Sequence, residues 1–165
     1  MKYATVLFDL DGTITDSKPG ILNSIRYALN KYGLEVPSDD QLQTFIGPPL
    51  KEQFMEVFGM AEEQGNRMVE AYREYYGEKG IFENRVYDGV PELLRELREH
   101  GMKILMATAK PELYARRIAE HFDFAGYFDF IGGACMDGRR TDKYDVIEYV
   151  LESCRITDRS RAVMV

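Results

Sequence analysis

Cysteine and histidine are scarce in this 165-residue chain, two of each, and basic residues are in deficit: 21 Lys and Arg against 28 Asp and Glu, a formal net charge of −7. Each shortage excludes something. Cys135 and Cys154 lack any paired-motif spacing, so a disulfide scaffold is excluded and the two read as reduced thiols of a cytoplasmic protein. His100 and His121 fall near the ends of predicted helices, where positive charge suits the helix dipole, so their reading is structural. The acidic balance argues against a nucleic-acid partner, which needs a basic surface. No apolar run approaches the roughly 18 residues of a membrane-spanning helix. The run from Tyr3 to Phe8 is too short for a signal peptide and is cut off by Asp9 and Asp11. What remains is an ordinary globular composition, 45% hydrophobic and 30% charged. At this length it supports one domain, or one domain with a modest insertion, without a stapling metal.

The periodicity supplies an architecture. Ala4 to Phe8 is a short β-prone apolar run ended by an acidic, Gly-containing turn, which predicts a buried strand. Ile21, Ile25, Ala28, Leu29 and Tyr32 make one helical stripe, stopped by Gly33. Ser38 with Gln41 matches a capping box. Gly47-Pro48-Pro49 breaks the pattern, and helical spacing resumes at Leu50, Phe54, Val57 and Phe58, then at Met68, Tyr72, Tyr75 and Tyr76. After Tyr87 helices and strands alternate. A helix opens at Pro91 and ends at Gly101. Strands are predicted at 103–107, 128–131 and 162–165, with helical stripes at Ala115, Ile118, Ala119 and Phe122, and at Val146, Ile147, Val150 and Leu151. A strand, a helical block and then regular alternation predict an α/β fold: a Rossmann-like parallel sheet with a helical insertion after its first strand. The expected division is a core of residues 1–16 and 86–165 and an inserted helical domain of residues 17–85. In such sheets ligands sit beyond the carboxyl ends of the strands, which directs attention to the positions after Phe8, Ala107 and Val165.

Asp9-Leu10-Asp11-Gly12-Thr13 follows the first strand directly. If the chain leaves the strand extended, both carboxylates reach one site above its end and Leu10 points back into the core. Gly12 permits a sharp turn and exposes backbone N–H groups to an anion. An acidic Asx-type turn that merely closes a strand is the competing reading. Thr108 ends the strand 103–107, and Lys143 opens the last predicted helix. Alone, the first is a turn residue and the second a surface charge.

The run Phe8-Asp-Leu-Asp-Gly-Thr13, continued as Ile14-Thr-Asp-Ser17, resembles the first motif of the haloacid dehalogenase superfamily. Along its whole length the chain most resembles the phosphoglycolate phosphatase-like branch, whose helical cap occupies the place of residues 17–85. The resemblance implies a Mg²⁺-dependent phosphatase acting on a small phosphomonoester, phosphoglycolate-like or a nucleotide. It implies that Asp9 is the nucleophile that becomes an aspartyl phosphate, and that Asp11 protonates the leaving oxygen and later activates water. Asp9 and the Asp11 backbone carbonyl would hold Mg²⁺. Gly12, Thr13, Thr108 and the Ala109 N–H would bind phosphate, and Lys143, in a Lys-x-Asp-Val-Ile run, would neutralise phosphate and nucleophile together. Lys110 and Pro111 continue the resemblance, with Lys110 equally readable as a solvated charge.

The family's fourth motif, a Gly-Asp…Asp segment that completes the metal site, has no counterpart after Arg161-Ala-Val-Met-Val165. The expectation is a core incomplete at its C-terminus, with weak Mg²⁺ affinity and low turnover in this chain and phosphatase activity in the intact parent. A sugar-phosphate mutase shares every motif present, and a non-catalytic phosphate-binding protein needs no nucleophile. In the helical block, Gly47-Pro48-Pro49-Leu50 is either a substrate-facing loop or a simple helix break. Arg26 and Lys51 are either substrate contacts or solvated charges. Hinges are expected near residues 15–18 and 86–89. Substrate identity and oligomeric state are not readable.

Overall fold

The computed structural model describes residues 2–137 and 139–165. They divide into two compact units, one joining the residues up to Asp16 to Arg85–Val165, the other formed by Ser17–Asn84.

The first unit is built on a four-stranded parallel sheet. Its strands are β1 (Thr5–Phe8), β4 (Lys103–Pro111), β5 (Phe130–Ala134) and β6 (Ala162–Met164), in the order β5-β4-β1-β6. β1 lies between β4 and β6, with Phe8 opposite Met106 and Leu7 opposite Met164. The chain steps outward from β1 to β4 to β5, then returns to place β6 on the other side of β1. β1 therefore ends where the strand order reverses, the position at which open α/β sheets bind ligands. Two short strands, β2 (Thr15–Asp16) and β3 (Arg85–Val86), pair antiparallel. Ile14 accepts the Tyr87 N–H at 3.0 Å beside them.

Helices α5 (Val90–Glu99), α6 (Glu112–His121) and α7 (Lys143–Ser153) are the crossovers. Alternation along the strands sends Leu7, Leu105 and Ala107 to α7, where they form a core with Val146, Val150 and Leu151. Val6, Phe8, Ile104 and Met106, equally buried, point the other way. The stripe of α6 is confirmed by Ala115, Ile118 and Ala119, all fully buried.

β5 lies two to three residues further along than the periodicity suggests, and side-chain chemistry explains the shift. Phe128 is drawn out of the strand into edge contacts with Phe8 and Phe124. The Asp129 carboxylate accepts the Ile104 N–H at 2.8 Å and a charge-assisted bond from Arg98 at 2.8 Å. Gly132 and Gly133 lie within β5, where close approach requires glycine. A Cβ on Gly132 would lie 2.4 Å from Val150 Cγ2, and one on Gly133 would lie 2.5 Å from the Lys110 carbonyl oxygen. β4 also runs four residues past its expected end, with an irregularity between Thr108 and Pro111.

The second unit is helical, as expected: α1 (Lys18–Lys31), α2 (Asp39–Leu42), α3 (Leu50–Phe58) and α4 (Glu62–Tyr75), the last widening into a π-turn at Tyr76–Gly80. Ile25, Ala28, Leu29, Phe54, Met68, Tyr72 and Tyr76 form its interior, while Val57 is exposed. The Ser38–Gln41 pairing is present, the Ser38 N–H donating to Gln41 Oε1, but it opens only a single helical turn. α1 and the π-turn meet backbone to backbone, because a Cβ on Gly20 would lie 1.9 Å from the Gly80 carbonyl oxygen. Among the described residues no helix is long and apolar enough to cross a membrane.

Two stability outcomes follow from these contacts. Gly133→Ala drives a methyl into the Lys110 and Glu112 backbone and should cost about 1–3 kcal/mol, read as a lowered denaturant midpoint; an unchanged midpoint would show that the irregular end of β4 yields freely. For Asp129, burial pushes the carboxyl up, but the hydrogen bonds from Arg98 and Ile104 outweigh it and hold it below the ordinary carboxylate value. Its contribution is therefore complete above the ordinary carboxylate pKa and is lost as pH falls through the lower folded value. Asp129→Asn should cost about 1 kcal/mol at neutral pH, with the gap to the parent closing in acid; a gap independent of pH would contradict this.

Candidate active site

The site is assembled from the carboxyl ends of β1 and β4 and the first residue of α7. Asp9 is the residue after β1, and its N–H donates to the Val165 carbonyl at 3.0 Å, which continues the β1–β6 pairing up to the carboxylate. One carboxylate oxygen, Oδ1, accepts the Leu10 N–H at 2.8 Å. The other, Oδ2, lies 2.5 Å from Lys143 Nζ. Leu10 is fully buried, as the spacing requires, and this returns Asp11 to the same side as Asp9.

Lys143 is held there by its helix. Asp142 caps α7, its carboxylate accepting the Tyr144 N–H at 2.8 Å. The loop before it is closed by the Cys135 N–H to the Arg140 carbonyl, and by Arg140, which donates to the Gly133 carbonyl and stacks on Tyr149. A cation at the first residue of a helix works against the helix dipole, so the position is explained by what the ammonium faces. Nζ is enclosed and makes a charge contact with Asp9 that is not aligned as a hydrogen bond; among the described residues its N–H donors have no acceptor.

Asp11 is paired differently. Its Oδ2 lies 3.0 Å from Lys110 Nζ, while Oδ1 is buried with no hydrogen-bond partner among the described residues. The Lys110 side chain is only 6% exposed, so it is not the solvated charge that the sequence left open. Thr108 is 1% exposed, and its hydroxyl oxygen accepts the Lys110 N–H at 3.2 Å, which leaves the hydroxyl proton to donate elsewhere. Ala109 stands exposed between them. Asp9, Asp11, Thr108 and Lys143 are thus joined in one chain of contacts through Leu10 and Lys110.

Gly12 and Thr13 do not offer the backbone donors expected of them. The Gly12 N–H donates to the Thr15 carbonyl and the Thr13 N–H to the Leu10 carbonyl, so both close the turn, which Gly12 enters at a φ of +78°. Only the Thr13 hydroxyl of this pair is left for a ligand. Lys110 is the residue that the sequence left open between the family resemblance and a solvated charge. Its signal was the spacing: Thr108-x-Lys110 near the end of β4 repeats the Asp9-x-Asp11 step that follows its neighbour β1. Elsewhere, Asp137 is paired with Arg139 and Asp142 is the cap of α7, so neither stands in for a missing ligand. Arg26 and Lys51 are engaged inside the helical unit, with Asp39 and Glu62.

Residues 6–165 match the family described as haloacid dehalogenase-like hydrolase, and the chain belongs to that family. It is 44% identical over 153 residues to a 5'-nucleotidase from Pseudomonas aeruginosa, covering 93% of this chain and 69% of that protein. It is 42% identical over 150 residues to the tyrosine-protein kinase PtkA of Mycobacterium tuberculosis, covering 91% of this chain and 51% of that protein. The fold superposes on a predicted phosphatase from Clostridium acetobutylicum with a TM-score of 0.88 at 45% identity, over 99% of this chain and 76% of that one. The chain thus spans about half to three quarters of the length of these relatives. The family match and the relatives named as a 5'-nucleotidase and a phosphoglycolate phosphatase support the expected phosphomonoester hydrolase.

Lys143→Met should weaken binding of inorganic phosphate by about tenfold, the worth of one charge-assisted contact. Calorimetry on the full chain checks this, and an unchanged affinity would remove Lys143 from the site.

Proposed function

We propose that this chain carries the phosphoryl-transfer site of a phosphatase that acts through an aspartyl phosphate on Asp9. The observation that supports it most is the enclosed Lys143 ammonium, its donors unspent, against the carboxylate at the end of β1. A buried cation with unsatisfied donors is costly unless an anion takes them. A phosphoryl group attached to Asp9 would place its oxygens at that ammonium.

The roles divide by environment. The Leu10 N–H fixes Asp9 Oδ1 and Lys143 steadies Oδ2, so the nucleophile is oriented before substrate arrives. The Thr108 hydroxyl donates to a phosphoryl oxygen. Asp11, held by Lys110 and retaining an unpartnered oxygen, gives a proton to the departing alcohol and then takes one from the water that attacks the phosphoaspartate.

Asp9 and Asp11 together with Lys110 and Lys143 sum to zero charge, so a phosphate dianion enters uncompensated. A divalent cation corrects this. Mg²⁺ favours oxygen ligands and is commonly bound through one or two carboxylates, waters and substrate phosphate. The Asp9 carboxylate and the Asp11 backbone carbonyl would supply that donor set, which leaves the unpartnered Asp11 Oδ1 for proton transfer. Among the described residues no group of three or more His, Cys, Asp or Glu adds to it. When bound, Mg²⁺ supplies charge neutralisation between nucleophile and phosphate.

The substrate class is a small phosphomonoester. Nucleotide and phosphoglycolate esters are the first to test, since relatives of this chain are named a 5'-nucleotidase and phosphoglycolate phosphatases. The experiment is a phosphate-release screen with Mg²⁺, run beside Asp9→Asn, together with mass spectrometry for a hydroxylamine-sensitive phosphate or a beryllofluoride adduct on Asp9. Asp9→Asn should fold normally, lose the adduct and lose turnover by on the order of 10³-fold or more. Reversible phosphate binding with no adduct would mark a binding protein instead. Recovery of a rephosphorylated sugar would mark a mutase.

A further inference from the structure

The proposed mechanism uses Asp11 as a proton carrier but does not say what decides which of its oxygens carries the proton. The structure answers through Lys110. This side chain is 94% enclosed by its 6% exposure, and its ammonium lies 3.0 Å from Asp11 Oδ2. It is placed by the irregular end of β4: the Lys110 N–H is tied to the Thr108 hydroxyl, and Gly133 clears the Lys110 carbonyl, where a Cβ would come within 2.5 Å. Such irregularities re-aim side chains beside functional sites. The result is an asymmetric carboxylate, with Oδ2 pinned and Oδ1 buried and unpartnered.

We propose that Lys110 is a positioning residue: it fixes the rotamer of Asp11 so that Oδ1, and not Oδ2, faces the departing oxygen of the phosphoester. This rests on the reading of Asp9 as nucleophile and Asp11 as proton carrier. Lys110 itself touches neither phosphorus nor leaving group. In the first half-reaction Asp9 forms its bond to phosphorus as the ester P–O bond breaks, and the proton on Asp11 Oδ1 passes to the alkoxide oxygen. Lys110 keeps that oxygen in place and exchanges no proton.

The role predicts a dependence on the leaving group. Lys110→Met, Lys110→Arg and Asp9→Asn are compared with the parent full chain in Mg²⁺. The burst of released alcohol is followed for p-nitrophenyl phosphate, whose phenolate leaves with little help, and for glycerol 1-phosphate, whose alkoxide needs the proton. Lys110→Met should slow the alkyl ester by about 10²-fold, the cost of a misplaced catalytic group. The aryl ester should change less than about threefold, with KM steady for both and Lys110→Arg recovering most of the alkyl rate. Equal losses on both esters, or a loss carried by KM, would make Lys110 a phosphate ligand or a structural cation and overturn the proposal. So would no loss at all. A parent-like rate in Asp9→Asn would instead overturn the underlying mechanism, which separates the two failures. A crystal structure of Lys110→Met supplies a readout free of turnover. Asp11 should leave the parent rotamer, and an unmoved carboxylate would end the proposal whatever the rates.

Discussion

A lysine ammonium enclosed against an aspartate at the end of a parallel strand is the contact on which the rest of this site depends. It draws on three separate parts of the chain. β1 delivers Asp9, β6 extends the pairing to the Asp9 backbone through Val165, and the capped start of α7 delivers Lys143. The helix dipole disfavours a cation at that end, and the Asp9 carboxylate offsets that local cost. Asp9 provides one negative charge for that ammonium, and a phosphoryl group on Asp9 would provide more.

Parallel pairing then accounts for the second pair of charges. β1 and β4 are neighbours in register, and each ends in a polar-x-polar step with the middle residue excluded from the cluster: Leu10 into the core, Ala109 toward solvent. Asp9 and Asp11 leave β1 while Thr108 and Lys110 stand at the irregular end of β4, and the Asp11–Lys110 and Lys110–Thr108 contacts join the two strands at a common rim. Each carboxylate acquires its own lysine. The contacts differ in a way that matters, because Lys143 keeps donors in reserve and Lys110 leaves an acceptor in reserve on Asp11. On the proposed reading, one end of the cluster would receive oxygen atoms and the other would exchange a proton.

Much of this was legible in the residues. The strand before Asp9, the alternation after Tyr87 and most of the stripes of α1, α4 and α6 are periodic signals of buried faces that the structure bears out, while Tyr32, at the end of the α1 stripe, is exposed. What periodicity missed has a common cause, since it weighs what side chains are and not what lies against them. The predicted strand stops at Ile131, yet β5 continues through Gly132 and Gly133, squeezed against Val150 and the Lys110 carbonyl. Val57 sits at a helical spacing that suggests burial and is exposed. Gly12 and Thr13 read as anion donors because the turn shape allows it, but closing that turn consumes both N–H groups. Lys110 could not be separated from a surface charge until β4 was seen to continue past Ala107.

The charges of the helical unit point the same way by a different route. Arg26 and Lys51, the residues there best suited by type to an anionic substrate, are spent on Asp39 and Glu62 within their own unit. The unspent donors and acceptors described here lie instead in the α/β unit, on Lys143, Thr108 and Asp11. On the proposed reading, recognition of the phosphoryl group would be a property of the sheet rim. It requires one carboxylate–lysine contact to stay enclosed and the other to stay asymmetric. A substitution that preserved every charge but let the end of β4 straighten would keep the first condition and lose the second. On the proposed reading, phosphate binding through Lys143 and Thr108 and proton transfer through Asp11 and Lys110 would then be separable.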